Sequence, residues 1–429
     1  MTDATFETTQ AHAAPHAAPA RPRTTPVYLT AGFEFDEYEQ AAAHFGDGIG
    51  YSYTRISNPT IDVVEQQLAA LEGGADGLLV ASGQAALSTT LLGLCSAGDH
   101  ILSSTHVYEG SRGLIRDQLS RFGIESDFLV DVRDPEAWER LIRPNTRVLF
   151  AESVSNASNT VLDIAAIAEV AHRHGIALVI DNTVPTPYLV RPLELGADLV
   201  IHSASKFLSG QGSVLGGLVV DAGTFDVERD GKNYPQLLER GRLGGASVAE
   251  RVGGLARITY MRESVAPRFG PTPSPLNAFL IGQGAETLSL RVRRQSDVAL
   301  EVARALDAHP AVEGVDHPGL ASHPDHELAQ RLLPRGAGSV FTFTVRGGAE
   351  AARTVVESLR LVTHMTHIGD VRSLVLHPAT TSHTFLTPEE QESVGVFPGT
   401  LRLSIGIEDA GDLIADLSHA LAALEAVPA

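Results

Sequence analysis

The stretch Asp198–Gly210, DLVIHSASKFLSG, decides how the rest of the chain is read. Its apolar run, Leu199 to His202, opens into small hydroxyl residues that end at Lys206, with Gly210 and Gly212 following. A short apolar run bounded by turn residues predicts a buried strand that opens into a loop. A lysine at the mouth of such a strand stands where α/β folds place their ligands. Ser203 and Ser205 flank it and can donate hydrogen bonds to an anion. One reading is a Schiff-base lysine beside a phosphate cradle, the arrangement that pyridoxal phosphate (PLP) requires. The other is an ordinary surface lysine in a serine-rich loop. On this stretch alone the second is the simpler.

Working outward, the sequence alternates between strand and helix patterns. Strands are expected at Leu78–Ala81, His100–Ser103, Ser126–Val130, Arg147–Glu152, Ala177–Asp181, Asp198–His202 and Gly217–Val220. Helices such as Pro59–Leu71, Ala85–Leu94 and Ile164–His174 fall between or beside them. This alternation predicts an α/β fold with a mostly parallel, seven-stranded sheet covered by helices on both faces. Residues 58–273 are expected to form this large domain. Near Ser274-Pro275 the character shifts. One long helix from Gly284 to His309 and strands at Ser339–Val345, Leu361–His364, Ser373–Leu376 and Thr400–Ser404 are expected there. With helices at Ala349–Leu359 and Asp412–Leu424, they predict a smaller α+β C-terminal domain, residues 274–429. Residues 1–57 read as a disordered tail to about residue 25, followed by an extended arm. His12 and His16 belong to that tail as solvated residues, and no metal site is expected.

Composition narrows the function classes. Hydrophobic residues make up 43% of the chain, which places it among globular proteins. A net charge of −20 argues against nucleic acid or an anionic membrane as partner. Cys95 is the only cysteine, so neither an intramolecular disulfide nor a thiolate metal cluster is expected. No apolar run has the length of a membrane span, and the first residues lack a signal-peptide pattern. A cytoplasmic location is the simplest expectation.

A second residue tips the balance at Lys206. Asp181 closes the apolar strand Ala177–Asp181, with Thr183 two residues on. A buried carboxylate is costly without a positive partner. A protonated pyridine nitrogen is one such partner, and an Asp capping a turn is the plainer alternative. Asp181 and Lys206 fall at strand ends on the same rim, and together they favour the cofactor. Ser82, Gly83 and Gln84 link a strand to a helix, and helix N-termini bind phosphate. Tyr108, on the same rim, can stack on a planar ring or merely fill a loop. Arg55, near Tyr53 in YTRISNPT, suits a phosphate through its forked donors. Arg402, alone amid apolar strand residues in LRLSIGIED, needs a carboxylate, from a substrate or from the protein. No Gly-x-Gly-x-x-Gly follows the first strand, which disfavours a nicotinamide oxidoreductase. The presence of both Lys206 and Asp181 disfavours a catalytically inert binding protein.

The pieces YTRISNPT, LEGGADGLLVASGQAAL, ESVSN, VIDNT, IHSASKFLSGQG, GGLVVD, HPGLASHP, SLVLHPATTSH and LRLSIGIED stand in the order of a known family. The chain resembles the Cys/Met-metabolism PLP enzymes of the aspartate-aminotransferase (type I) fold, from about Pro26 to the C-terminus. Within that family SPLNAF, QGAETLSLR and HPATTSH are most similar to O-acetylhomoserine sulfhydrylases.

The resemblance implies PLP as cofactor and roles for particular residues. Lys206 would carry the Schiff base and shuttle protons, Asp181 would pair with the ring nitrogen, and Tyr108 would stack on the ring and assist proton transfer. Asn156 would meet the ring hydroxyl. Ser82, Gly83, Gln84, Thr183, Ser203 and Ser205 would line the cofactor site, joined by Tyr53 and Arg55 of a neighbouring subunit. Arg402 would grip the substrate carboxylate, with Asn156 and His367 nearby. It further implies a homo-oligomer with shared active sites, a dimer of dimers. The implied reaction is γ-replacement, with O-acetyl-L-homoserine and sulfide giving homocysteine and acetate. A γ-lyase, or replacement by another sulfur or carbon nucleophile, is the alternative.

Five residues depart from the family pattern: Glu109-Gly110 after the tyrosine, Ala157 after Asn156, Val184 after the Asp-Asn-Thr motif, and His367 where sulfhydrylases carry Asn. Gly110 stands where methionine γ-lyases carry their cysteine, which counts against that activity.

Overall fold

The computed structural model describes residues 4–14, 22–47, 50–156, 158–241 and 245–426. His16 and Ala157, named above, lie outside the described residues. Strands β1 (Asp76–Val80), β2 (His100–Ser104), β3 (Glu125–Leu129), β4 (Thr146–Glu152), β5 (Ala177–Asp181), β6 (Leu199–His202) and β7 (Gly217–Asp221) form a seven-stranded sheet. Its order is β1-β7-β6-β5-β4-β2-β3. The central pairs are parallel, and β7 runs antiparallel to both β1 and β6.

The sheet is apolar on both faces because both are covered. Val148, Phe150, Val179, Leu199 and Ile201 enter one core, and Leu149, Ala151, Leu178, Ile180 and Val200 enter the other. Burial on two sides explains why these strands read as continuous apolar runs rather than alternating ones. Parallel direction has a further consequence. The carboxyl ends of β2, β4, β5 and β6 meet at one edge, and the loops that follow them converge there.

A second, five-stranded sheet has the order β10-β11-β12-β9-β8. Its strands are β8 (Val312–Asp316), β9 (Val340–Val345), β10 (Thr363–His364), β11 (Leu374–Leu376) and β12 (Thr400–Ser404). Leu401 and Leu403 of β12 pack into a core with the helices Leu288–Asp307, Gly348–Ser358 and Ala410–Ala422. Side chains alternate along a strand, so Arg402 points to the opposite face from Leu401 and Leu403.

Four local expectations are corrected. Residues Phe6–His12, read as disordered tail, form a helix. Its anchors are remote: Phe6 packs on Tyr188 and under the guanidinium groups of Arg191 and Arg335, and Gln10 hydrogen-bonds the amide and hydroxyl of Ser289. The expected extended arm contains a helix, Tyr38–Asp47. The expected single helix from Gly284 to His309 is two, Pro275–Ala285 and Leu288–Asp307. The break leaves the Gly284 carbonyl to accept from Arg291 at 2.7 Å, and the same guanidinium holds the Phe207 carbonyl at 2.8 Å. Strand β8 was not expected. It exposes Glu313 and Gly314 and so lacks an apolar pattern.

Candidate active site

Lys206 follows β6 in a tight turn, with its N–H bonded to the Ser203 carbonyl and its own carbonyl accepting from Gly210. Its amine enters a cavity of about 550 Å³ at the converging strand ends. All the candidate residues named from the sequence line this cavity except Tyr53 and Arg55. Burial, and then the charge of Arg402, lower the Lys206 amine to about 8. An amine poised there can take up and release a proton near neutral pH.

Asp181 ends β5 on the cavity wall and accepts the Thr183 N–H at 2.9 Å. Thr183 in turn accepts the Ser203 N–H at 2.8 Å, which ties the end of β5 to the lysine turn. No basic side chain lies within ion-pair distance of Asp181 among the described residues, and burial raises its carboxyl. Glu152, at the end of β4, is a cavity-lining residue the sequence reading missed. One carboxylate oxygen accepts the Tyr108 N–H at 2.6 Å and the other the Asn156 N–H at 3.0 Å. It thereby fixes the loops of two cavity residues. The signal was available: Glu152 closes an apolar strand just as Asp181 does.

The helix Gly83–Leu94 aims its N-terminus at the same space. Ser82 is its cap, with the hydroxyl accepting from Ala85 at 3.1 Å. Gly83 is needed for close packing, since a Cβ there would sit 2.7 Å from Cβ of Ser203. The first N–H groups of a helix have no intrahelical partner and suit a phosphate. The Ser203 hydroxyl has no protein partner among the described residues and is free to join them. The Ser205 hydroxyl is already exchanged with the backbone of Gly216, donating at 3.2 Å and accepting at 3.0 Å.

Arg402 is buried, and that burial pushes it down to about 10. It donates to Asn156 Oδ1 at 3.2 Å and to the His367 carbonyl at 3.4 Å. Among the described residues no carboxylate is within ion-pair distance of it, so the protein itself does not neutralise this guanidinium. His367 was expected beside the substrate carboxylate. Only its backbone carbonyl meets Arg402, and its ring Nδ1 stands 3.0 Å from Lys206 Nζ. Tyr53 and Arg55 are not brought to the cavity. Tyr53 is exposed, and Arg55 donates to the Pro267 carbonyl.

This donor set fits PLP. It provides a helix N-terminus with a glycine gap for the phosphate, a carboxyl with no basic partner among the described residues for the ring nitrogen, and an amine of lowered basicity. The profile of Cys/Met metabolism PLP-dependent enzymes matches residues 7–422. The chain belongs to that family. It is 41% identical to an O-acetyl-L-homoserine sulfhydrylase of Corynebacterium glutamicum, covering 98% of this chain and 97% of the relative. It is 39% identical to an L-methionine gamma-lyase of Treponema denticola, with 92% of each chain covered. A crystal structure of an O-acetylhomoserine (thiol)-lyase from Campylobacter jejuni carries N'-pyridoxyl-lysine-5'-monophosphate. It superposes with a TM-score of 0.93 at 35% identity, covering 98% of this chain and all of that one. This protein is thus a PLP-dependent enzyme of the sulfhydrylase type, with the type I fold. No described helix is long and apolar enough to cross a membrane.

Proposed function

We propose that this enzyme catalyses γ-replacement on an O-activated homoserine, with O-acetyl-L-homoserine and sulfide as substrates and L-homocysteine and acetate as products. The observation that carries the reading is Arg402: a buried guanidinium with no carboxylate partner among the described residues, facing the cavity that holds Lys206. An α-amino acid brings the missing carboxylate, and a forked guanidinium suits it.

Bound PLP supplies an electron sink for the charge that develops on the amino acid during proton loss and departure of the γ-substituent. The chain's own residues do the rest. Arg402, released from Asn156, holds the carboxylate. Lys206 binds the cofactor covalently, and its amine, once freed, takes and returns protons. Asp181 accepts the ring nitrogen's N–H. Asn156 meets the ring hydroxyl. The N-terminus of Gly83–Leu94, with Gln84 and Ser203, holds the phosphate. Tyr108 is held at the cavity wall by Glu152.

A γ-lyase is the second reading, favoured by the similarity to the methionine γ-lyase. Gly110 weighs against it. A Cβ at that position would lie 2.4 Å from the Tyr108 ring and 2.5 Å from Gln84 Nε2, so Tyr108 as placed leaves no room for a side chain. We also infer an assembly with shared sites, a dimer of dimers in the cytoplasm. Its support is that Tyr53 and Arg55 lie outside their own chain's cavity: Tyr53 is exposed, and Arg55 would exchange its contact with the Pro267 carbonyl for a neighbour's phosphate.

The test is to incubate the enzyme with O-acetyl-L-homoserine, O-succinyl-L-homoserine or L-methionine, with and without sulfide, and to identify products by mass. Homocysteine formed only from the acetyl ester with sulfide supports the reading. Ketobutyrate and ammonia as main products without sulfide would replace it with the γ-lyase.

A further inference from the structure

His367 is in contact with the reactive amine. An ammonium group has three N–H donors and no acceptor. At 3.0 Å from Lys206 Nζ, Nδ1 of the imidazole must therefore accept, and the ring proton lies on Nε2. No other protein acceptor for the amine is found among the described residues. Nε2 is buried without a partner among the described residues. Burial and the nearby lysine hold the His367 ring down to about 4, and Lys206 lies at about 8. Between these values the ring is neutral and the amine is charged, as the contact requires.

We propose that His367 is a positioning residue for the catalytic lysine: its Nδ1 is the acceptor that holds the freed Lys206 ammonium in the cavity. The proposal rests on the assignment of Lys206 as the cofactor lysine. The other charged groups around the pair act differently. Arg402 repels the ammonium, while Asp370 is engaged by Arg372 at 3.0 Å. Asp181 and Glu152 line the same cavity, and burial raises both carboxyls. Arg291 is spent on backbone carbonyls. The contact also gives the departure at this position a reason. Oδ1 of an asparagine stands the same number of bonds from Cβ as Nδ1 of histidine, so either residue presents an acceptor at one place.

The chain has two lysines, Lys206 and Lys232, which makes a direct reading of the amine feasible. The full chain, stripped of cofactor, is labelled with 13C at lysine Cε and titrated by NMR. Lys206→Ala assigns the signals. His367→Leu removes the acceptor while keeping the volume that excludes water. Losing one charge-assisted hydrogen bond should lower the Lys206 pKa by roughly one unit. His367→Asn should keep it within about 0.3 unit of wild type, since the acceptor is retained. A value unchanged or raised in His367→Leu would overturn the proposal. So would an asparagine variant that falls as far as leucine, because the acceptor would then not be what matters. Failure of the underlying assignment looks different: borohydride would then fix the pyridoxyl group on Lys232.

Discussion

Glu152 and Asp181 are register partners at the ends of the parallel strands β4 and β5, so two carboxyl groups close neighbouring strands on one cavity wall. Burial, and then the charge of Asp181, raise Glu152 well above its usual range; burial raises Asp181. A carboxyl whose folded value is raised stabilises the fold below its unfolded value, about 4.3 for Glu. That stability is lost as pH rises through the folded value. Glu152→Gln should therefore flatten the decline in stability of the cofactor-free protein above about pH 4.3. The measurement is the urea midpoint from pH 4 to 9, mutant against wild type. Equal slopes would show that Glu152 ionises normally in the fold.

Arg402 should act on substrate binding more than on the cofactor. Arg402→Lys keeps the charge but loses the fork, and should raise KM with about a hundredfold loss in kcat/KM. The visible absorbance of the bound cofactor should not change. A normal KM for O-acetylhomoserine would remove Arg402 from the carboxylate site.

Gly110 tests the space beside Tyr108. Gly110→Ala places a methyl 2.4 Å from the ring, so the tyrosine must move. If Tyr108 acts on the reacting groups, turnover should fall by up to about a hundredfold, the order expected for an ångström-scale misplacement. The thermal midpoint should change little, because the methyl meets a side chain at the cavity wall rather than the core. Unaltered turnover would mean that the Tyr108 position is not critical.

Much of this was legible in the sequence, for reasons particular residues show. The strands at β4 to β6 are buried on both faces, so they read as apolar runs, and the polar residues at or just past their ends, Asp181 and Lys206, stood out. Arg402 stood out for a similar reason: Leu401 and Leu403 enter the core while it faces the cavity. What failed depended on distant partners. Helix Phe6–His12 is pinned by Tyr188, Arg191, Arg335 and Ser289, none of them near in sequence. The ring contact of His367 with Lys206 spans 161 positions, and only the folded chain reveals it.

Shared sites make a prediction about mixtures. Arg55→Ala and Lys206→Ala subunits should each be inactive alone if Arg55 completes a neighbour's phosphate site. After subunit exchange, random pairing within dimers should restore about a quarter of wild-type activity, since some sites are built from two intact halves. No recovery despite proven exchange would count against sharing.

The most direct measurement concerns Lys206 itself. The purified enzyme is reduced with borohydride, digested, and its peptides are weighed. With only Lys206 and exposed Lys232 in the chain, the result is a choice between two peptides. The account predicts the pyridoxyl mass on the peptide containing Lys206, and its absence from Lys206→Ala together with a loss of turnover by several orders of magnitude. A pyridoxyl group on Lys232, or a Lys206→Ala enzyme that still turns over O-acetylhomoserine at near the normal rate, would contradict it.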